Sequence, residues 1–568
     1  MKGTTVGDTR HIFRLIKVHI THLGAMFLVL NSVGFAQGLA DQVQEHLRAR
    51  IEAAAVPPKI VIHDDLIYSS IVLPQFYEQR VYMPVWSNDK GILVERVDEL
   101  LRAIRDAYRE GLTPADYHLA RIETTLQEVR ENQAQRKPYN PARLADLDLL
   151  LTDAFLVYGA HLLAGRVDPE TIDAQWRAYR READLGQILQ KALDSNNIQQ
   201  SLTNLLPSQP GYARLREKLA LYRAIAARGG WLSIPYGPKL RKGDEDERIV
   251  LLRKRLAAVG DIALAKVENE AFFDEPLDTA LRQFQKRHGL TADGVLGQTT
   301  LVALNIPAEQ RVRQILVNME RWRWLPQDLG RIHIIVNIAN YELDVVENSN
   351  EVLTTRVIVG KPYRRTPVFS DKMTYLVINP HWYVPHNIAV KDILPNVKKD
   401  PAYLTNNNIK LFAGQGTNEI NPLSIDWSQV TESNFKYSLR QDPGVSNALG
   451  RMKFMFPNKY NVYIHDTPAK ELFKKTERGF SSGCIRIERP IDLAEYVLRE
   501  DPRWTKDKII AAINKGEEQT VRLPNAIPVH LLYWTAWTDN DGNLQLRNDI
   551  YDRDSVLYEE LFEKPPAR

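Results

Sequence analysis

The chain has 568 residues, 44% of them apolar, enough for several cores, and two to four domains are expected at this length. Its 74 lysines and arginines nearly balance 71 acidic residues, for a net charge of +3. That balance excludes a polybasic surface tracking a phosphate backbone, so nucleic acid is not an expected partner. A single cysteine, Cys484, excludes intrachain disulfides and cysteine-built metal sites.

Arg10, Arg14 and Lys17 precede a mostly apolar run over 23–35 that ends Gly34-Phe35-Ala36. Basic residues, a short apolar run and small residues at its end predict an export leader over 1–36, cleaved after Ala36 or kept as a signal anchor. The run is short for a bilayer span, and no later stretch reads as long and apolar enough to cross a membrane. In an oxidising compartment one unpaired thiol has no intrachain partner, which suits a thiol kept for its reactivity.

Residues 39–56 read as polar and Ala-rich, and Pro57-Pro58 as a mobile junction. Residues 60–242 read as a mainly helical scaffold. One helix over 97–108 carries Leu100, Leu101, Ile104 and Tyr108 at helical spacing and is closed by Gly111-Leu112-Thr113-Pro114. A second, over 144–163, is stopped by Gly165 and Pro169; a third, over 215–225, ends at Gly229-Gly230. No acid pair or metal spacing stands out, and Trp86, Trp176 and Trp231 read as packing groups.

Residues 243–307 form a compact unit. Ile249, Leu252, Leu256 and Val259 make one helical stripe, and a second helix over 277–288 turns Leu281 and Phe284 inward. The loop 289–297 needs glycine dihedrals, and a short helix to Leu304 follows. The string Phe284, Gln285, Lys286, Arg287, His288, Gly289, Leu290, then Asp293, Gly294, Val295, Leu296, Gly297 and Thr300, resembles the signature of the small three-helix peptidoglycan-binding domain. That resemblance implies contact with cell-wall glycan or peptide, or a spacer role.

Residues 311–325 read as a connecting helix rich in Arg and Trp. The period then changes: 332–338, 341–346, 351–359 and 374–378 alternate or run apolar as strands, with Asn340, Asn348 and Asn350 at the turns. Residues 382–427 carry Pro385, Pro395, Pro401 and Pro422, Asn406-Asn407-Asn408 and Gly414-Gln415-Gly416. This stretch is too long for an ordinary connection and reads as a lid insertion. Strands return at 452–456 and 460–464, and a helix over 492–499 follows. Strands at 529–537 and 544–546, joined through Asp539-Asn540-Asp541-Gly542, are expected to add a hairpin to the same sheet.

Cys484 stands in Phe480-Ser481-Ser482-Gly483-Cys484-Ile485-Arg486, a turn rather than an apolar run, just beyond Tyr463-Ile464-His465-Asp466-Thr467. A cysteine nucleophile needs a base and donors for the developing oxyanion. The eighteen residues between His465 and Cys484 let the chain leave the histidine strand and return beside it. Ser482 and Gly483 leave room for a substrate carbonyl near the Cys484 N–H, and Arg486, two residues on, is placed to clasp the turn or bind a carboxylate.

These residues resemble the L,D-transpeptidase catalytic family, whose signature sets a histidine in an I-H-G/D-T/S context ahead of S/T-H/S-G-C. Ser482 stands where the commoner form has histidine, which leaves His465 as the nearby base. The segments 373–385 and 437–444 are similar to site-lining stretches in the large multi-domain members of Gram-negative envelopes, so His381, Trp382 and Tyr383 are expected to contact substrate. The resemblance implies a multi-domain α+β protein: a helical scaffold, a three-helix wall-binding unit, and a mostly-β catalytic domain over 331–545 with a lid over 382–427. It implies a periplasmic enzyme without metal or other cofactor, whose Cys484 forms a thioester on a tetrapeptide stem and passes it to the amine of an acceptor stem as a 3→3 crosslink. Carbapenems would acylate the same thiol, and cell-wall synthesis proteins are possible partners. The alternatives are a cysteine carboxypeptidase or peptidase with water as acceptor, and a non-enzymatic wall-binding scaffold. His381 and His386 lack the H-E-x-x-H pattern of a metallohydrolase.

Overall fold

Asn140 caps the helix at the centre of the scaffold, Pro141–Ala164, accepting from the N–H groups of Ala142 and Arg143. Apolar residues stand on every face of this helix, and residues 144–159 are buried without a break. It is long and apolar enough to span a membrane, contrary to the expectation from sequence, but 94% of its apolar window is buried in protein. Its aspartates are paired: Asp148 accepts from Tyr77 and from the backbone of Val85 and Trp86, and Asp153 from the backbone of Tyr68 and Ser69 and from His118. The computed structural model describes residues 37–54, 59–173, 175–177, 180–263, 267–414, 416 and 418–562. The leader over 1–36, the Pro57-Pro58 junction and Gln415 lie outside them.

The scaffold begins earlier than residue 60. Leu39–Glu52 is a helix, and Val43, Leu47 and Ile51, four residues apart, enter the same core as the central helix. That stripe is one side chain wide, which is why the stretch reads as polar. Val94–Arg105 ends in a tighter turn over Asp106–Glu110, closed by Gly111 at φ 73°. Tyr108 is therefore exposed, with Arg223 over its ring, instead of completing the inner stripe. Trp86 and Trp176 are buried packing groups and Trp231 is partly buried under Arg255.

The three-helix unit consists of Arg248–Ala257, Glu275–Arg287 and Gln298–Asn305 around Leu252, Leu256, Leu281, Phe284 and Leu304. Val259 turns away into a different cluster. The helix Ala308–Arg323 is more than a connector. Arg323 bonds Glu320 at 2.7 Å and Tyr212, and Arg321 pairs with Asp554 at 2.7 Å, all in the interior. Removing one partner of such a buried pair costs about 3–5 kcal/mol, because the other charge is left behind.

The large sheet after residue 331 closes on itself. Ile332–Asn337, Glu342–Glu347, Asn350–Gly360, Ile485–Ile487, Ile464–His465, Met452–Met455, Phe369–Ile378 and Gln519–Leu532 pair in that order and back to the first. Gly479–Ser481 adds in parallel beside the end of Asn350–Gly360. Helices Pro490–Leu498 and Lys506–Lys515 share its core. The expected hairpin does not join this sheet. Ala536–Thr538 and Leu544–Leu546 form a separate pair, and Leu544 and Leu546 pack with Leu215 and Ile315 of the helical part. The chain leaves the sheet after Leu532, where Trp534 stacks on Trp322 with ring centroids 4.4 Å apart.

The lid has a core of its own. Trp382–Tyr383, Tyr437–Gln441, Ile409–Ala413 and Glu419–Ile420 make a four-stranded sheet. Val390, Ile393, Leu394, Val397, Leu411 and Leu439 pack beneath it. It therefore runs past residue 427 to at least Gln441, because its longest pairing needs the Tyr437–Gln441 strand. Trp427 belongs to this core and donates to the Pro422 carbonyl at 2.8 Å, so its ring is part of the lid's interior.

Candidate active site

Side chains alternate across a strand, and that period sets the site. Ile464 and Ile485 are paired in a parallel ladder and point into the core; their neighbours Tyr463, His465, Cys484 and Arg486 therefore face the other way. His465 lies opposite Arg486 on one side and opposite Lys453 on the other, so Lys453, His465 and Arg486 form one row across three strands. Tyr463 and Cys484 belong to the next row, where the Ile485 N–H donates to the Tyr463 carbonyl at 3.1 Å. All five side chains line a cleft of about 1310 Å³ between the sheet and the lid.

His465 is buried, and its Nδ1 lies 2.5 Å from the Asp466 carbonyl. A carbonyl only accepts, so Nδ1 carries the proton and the lone pair is on Nε2. Burial, then Arg486 and Lys453, push the imidazole down to about 3, against the pull of the Asp466 carbonyl. Asp466 in turn accepts from the Arg451 N–H at 2.8 Å and from Lys470 at 2.6 Å, which fixes the strand end. Cys484 is half-buried; burial raises its thiol, while Tyr463, Lys453 and Arg486 favour the thiolate. The resting pair is thus neutral thiol and neutral imidazole, with the base available at neutral pH.

The turn is tied down from inside. Ser481 Oγ donates to the Cys484 carbonyl and accepts from the Gly483 N–H at 3.1 Å. The Gly483 carbonyl accepts from Thr366 at 2.9 Å, and Gly483 has φ 118°, a conformation costly for any other residue. The Gly483 N–H is spent on Ser481, which leaves the Cys484 N–H as the turn's expected oxyanion donor. Ser482 is exposed and accepts from Arg364 at 2.9 Å, and Arg364 also pairs with Asp392 of the lid.

The scaffold reaches this site. The Val368 N–H donates to the Gln175 carbonyl at 3.0 Å, and the Arg177 N–H to the Val368 carbonyl at 2.9 Å. Asp173 pairs with Arg553 at 2.7 Å and faces Arg365 at 3.9 Å. The loop bearing Arg364 and Thr366, which holds the Cys484 turn, is therefore itself held by the scaffold.

Of the residues expected at the site, Cys484, His465, Ser482, Gly483, Arg486, Trp382 and Tyr383 line the cleft. His381 is not brought to it: its N–H and Nδ1 bond Glu518, at 2.6 and 3.0 Å. Sequence reasoning missed Lys453, Tyr463, Arg364, Asp392 and Thr366. The alternation through Tyr463 and His465 was a usable signal for Tyr463; the others reach the site only through strand pairing and loop docking. Among the described residues no cluster of three His, Cys, Asp or Glu side chains could hold a metal ion.

Three stretches match known families. Residues 331–510 match the "L,D-transpeptidase catalytic domain", 245–304 the "Putative peptidoglycan binding domain" and 72–219 the "Scaffold domain". The chain is thus a multi-domain α+β protein that carries an L,D-transpeptidase catalytic domain joined to a peptidoglycan-binding-type unit and a helical scaffold. A curated relative from Haemophilus influenzae, named "Putative L,D-transpeptidase", is 39% identical over 247 residues, 43% of this chain and 49% of that protein. The chain spans about half the length of this relative. Solved L,D-transpeptidases from Xylanimonas cellulosilytica and Stackebrandtia nassauensis are 13% and 14% identical and cover 52% of this chain. They cover 99% and 97% of their own chains, with TM-scores of 0.17 and 0.20.

Proposed function

We propose that this protein is a cysteine acyltransferase that crosslinks peptidoglycan stem peptides 3→3 in the periplasm. The observation that carries the reading is the shared outward face of Tyr463, His465, Cys484 and Arg486 in one cleft, with the Nδ1 proton of His465 held by a carbonyl. Nε2 takes the Cys484 proton as sulfur attacks the carbonyl of the third, meso-diaminopimelate residue of a tetrapeptide stem. The C–N bond breaks, the proton passes to the departing D-alanine amine, and a thioester remains. The amine of a second stem then attacks that thioester, forming the new amide and returning the proton to sulfur. Donor and acceptor stems are the partners, and no cofactor enters the chemistry. Carbapenems acylate the same sulfur by opening their lactam ring.

A thioester reacts with water as well as with amines, so transfer depends on keeping water out. The lid over the cleft supports transfer over hydrolysis. Mass spectrometry of products from purified tetrapeptide stems tests the reading: crosslinked dimer is expected, tripeptide alone would make the protein a carboxypeptidase, and unchanged stems would leave it a wall-binding scaffold.

A further inference from the structure

Two cations flank His465. Lys453 and Arg486 lie on either side of His465 in the strand ladder, and among the described residues no carboxylate forms an ion pair with either. By contrast, two arginines that line the same cleft do have acidic partners: Arg364 pairs with Asp392, and Arg365 faces Asp173 at 3.9 Å. Arg486 Nε is buried with no hydrogen-bond partner at all. Lys453 is half-buried with its ammonium 4.0 Å from the centre of the Tyr463 ring. Unpaired buried cations are costly unless an anion completes them. Both line the cleft that holds Cys484.

We propose that Lys453 and Arg486 form an anion subsite for the free terminal carboxylate of the residue that leaves the donor stem. This rests on the acyl-transfer reading above. In a tetrapeptide stem, that carboxylate lies one residue, about 3.8 Å, beyond the scissile carbonyl. The Lys453–His465–Arg486 row lies two residues along the strand from the Cys484 row, about 6.8 Å, a gap the long cationic side chains span. The subsite selects a bond one residue from the peptide's end, and it rejects a stem whose terminus is extended or amidated. It also has a mechanistic consequence. The two cations hold the imidazole in its neutral form, and the bound carboxylate offsets their charge, so the base strengthens when a correct donor arrives.

The test compares a tetrapeptide stem ending in D-alanine with the same stem as its C-terminal amide. Wild-type protein is expected to acylate with the acid at least about tenfold more efficiently than with the amide. Lys453→Met should shrink that ratio mainly through KM on the acid; any loss of thiolate reactivity, read from the rate of Cys484 alkylation by iodoacetamide, falls on both stems alike and leaves the ratio untouched. Arg486→Lys, which keeps the charge, should retain most of the preference if Arg486→Met folds poorly. Equal use of acid and amide by wild-type protein would overturn the subsite, as would a Lys453→Met variant that slows both stems alike and leaves their ratio intact. If neither stem is acylated, the acyl-transfer reading fails instead. Calorimetric binding of both stems to Cys484→Ala protein then decides the subsite alone: tighter binding of the acid supports it, and equal binding refutes it.

Discussion

In the three-helix unit, Gln285 is fully buried and its amide is spent within the unit. Its NH₂ donates to Asp293, Val295 and Thr300, and its oxygen accepts from the Gly294 N–H at 2.9 Å. The loop that carries the family string thus closes on its own helix. The turn that carries Cys484 is equally well bonded from beneath, through Ser481 and Thr366, yet in the row beside it Lys453 and Arg486 face the cleft and, among the described residues, neither is in an ion pair. Both segments are recognisable in sequence, but a satisfied network builds a shape, whereas an unsatisfied one next to a nucleophile is available to a ligand.

Substitutions can break that contrast. Cys484→Ala should abolish crosslinking and carbapenem adducts while the fold is kept, since the turn is held by Ser481, Thr366 and Gly483; product yield and circular dichroism check this together. His465→Ala should cost on the order of 10²-fold or more in transfer, the scale of a lost general base, with slow carbapenem acylation persisting because thiols are intrinsically nucleophilic. Turnover left intact would make His465 structural.

Gln285→Ala sharpens the other side. It strands several buried groups and should destabilise the three-helix unit by about 1–3 kcal/mol, seen by denaturant titration. Activity on soluble stems should hardly change, because the Gln285 network does not touch the cleft; a matching loss of activity would mean the two segments are coupled.

Asp392→Ala frees the lid from Arg364, and with it Ser482, without emptying the lid's own core. The ratio of tripeptide to crosslinked dimer should rise severalfold at fixed acceptor amine, and an unchanged ratio would assign water exclusion to the rest of the cleft. Deleting 382–427 would be a poorer test, since it removes three of the four lid strands.

The effect that is smallest at neutral pH concerns acid stability. His465 is pushed down to about 3 from an ordinary 6.5, so the unfolded chain binds this proton first as pH falls. Stability should drop as pH falls from 6.5 towards 3, and His465→Asn should flatten that slope by up to about 1.4 kcal/mol per pH unit. An unchanged slope would mean the imidazole is not buried neutral.

Most of the domain order, and the placing of Cys484 and His465 on one cleft, were legible because they rest on local strings and strict periods. What stayed hidden depends on contacts distant in sequence. Lys453 belongs to the site only because its strand pairs with Ile464–His465, and Arg364 only because its loop docks under Ser482 and beside Asp392. The lid's extent was hidden by a gap of more than twenty residues between paired strands Ile409–Ala413 and Tyr437–Gln441. The 536–546 hairpin has an ordinary strand pattern, and nothing local says that it packs on helices instead of the sheet.

Intact-protein mass spectrometry of wild-type enzyme quenched during turnover of a tetrapeptide stem tests thioester chemistry at Cys484 most directly. The expected result is a tripeptidyl adduct on the peptide containing Cys484, which decays on adding acceptor amine as crosslinked dimer appears. Dimer formed without any adduct, or formed at the wild-type rate by folded Cys484→Ala protein, would contradict it.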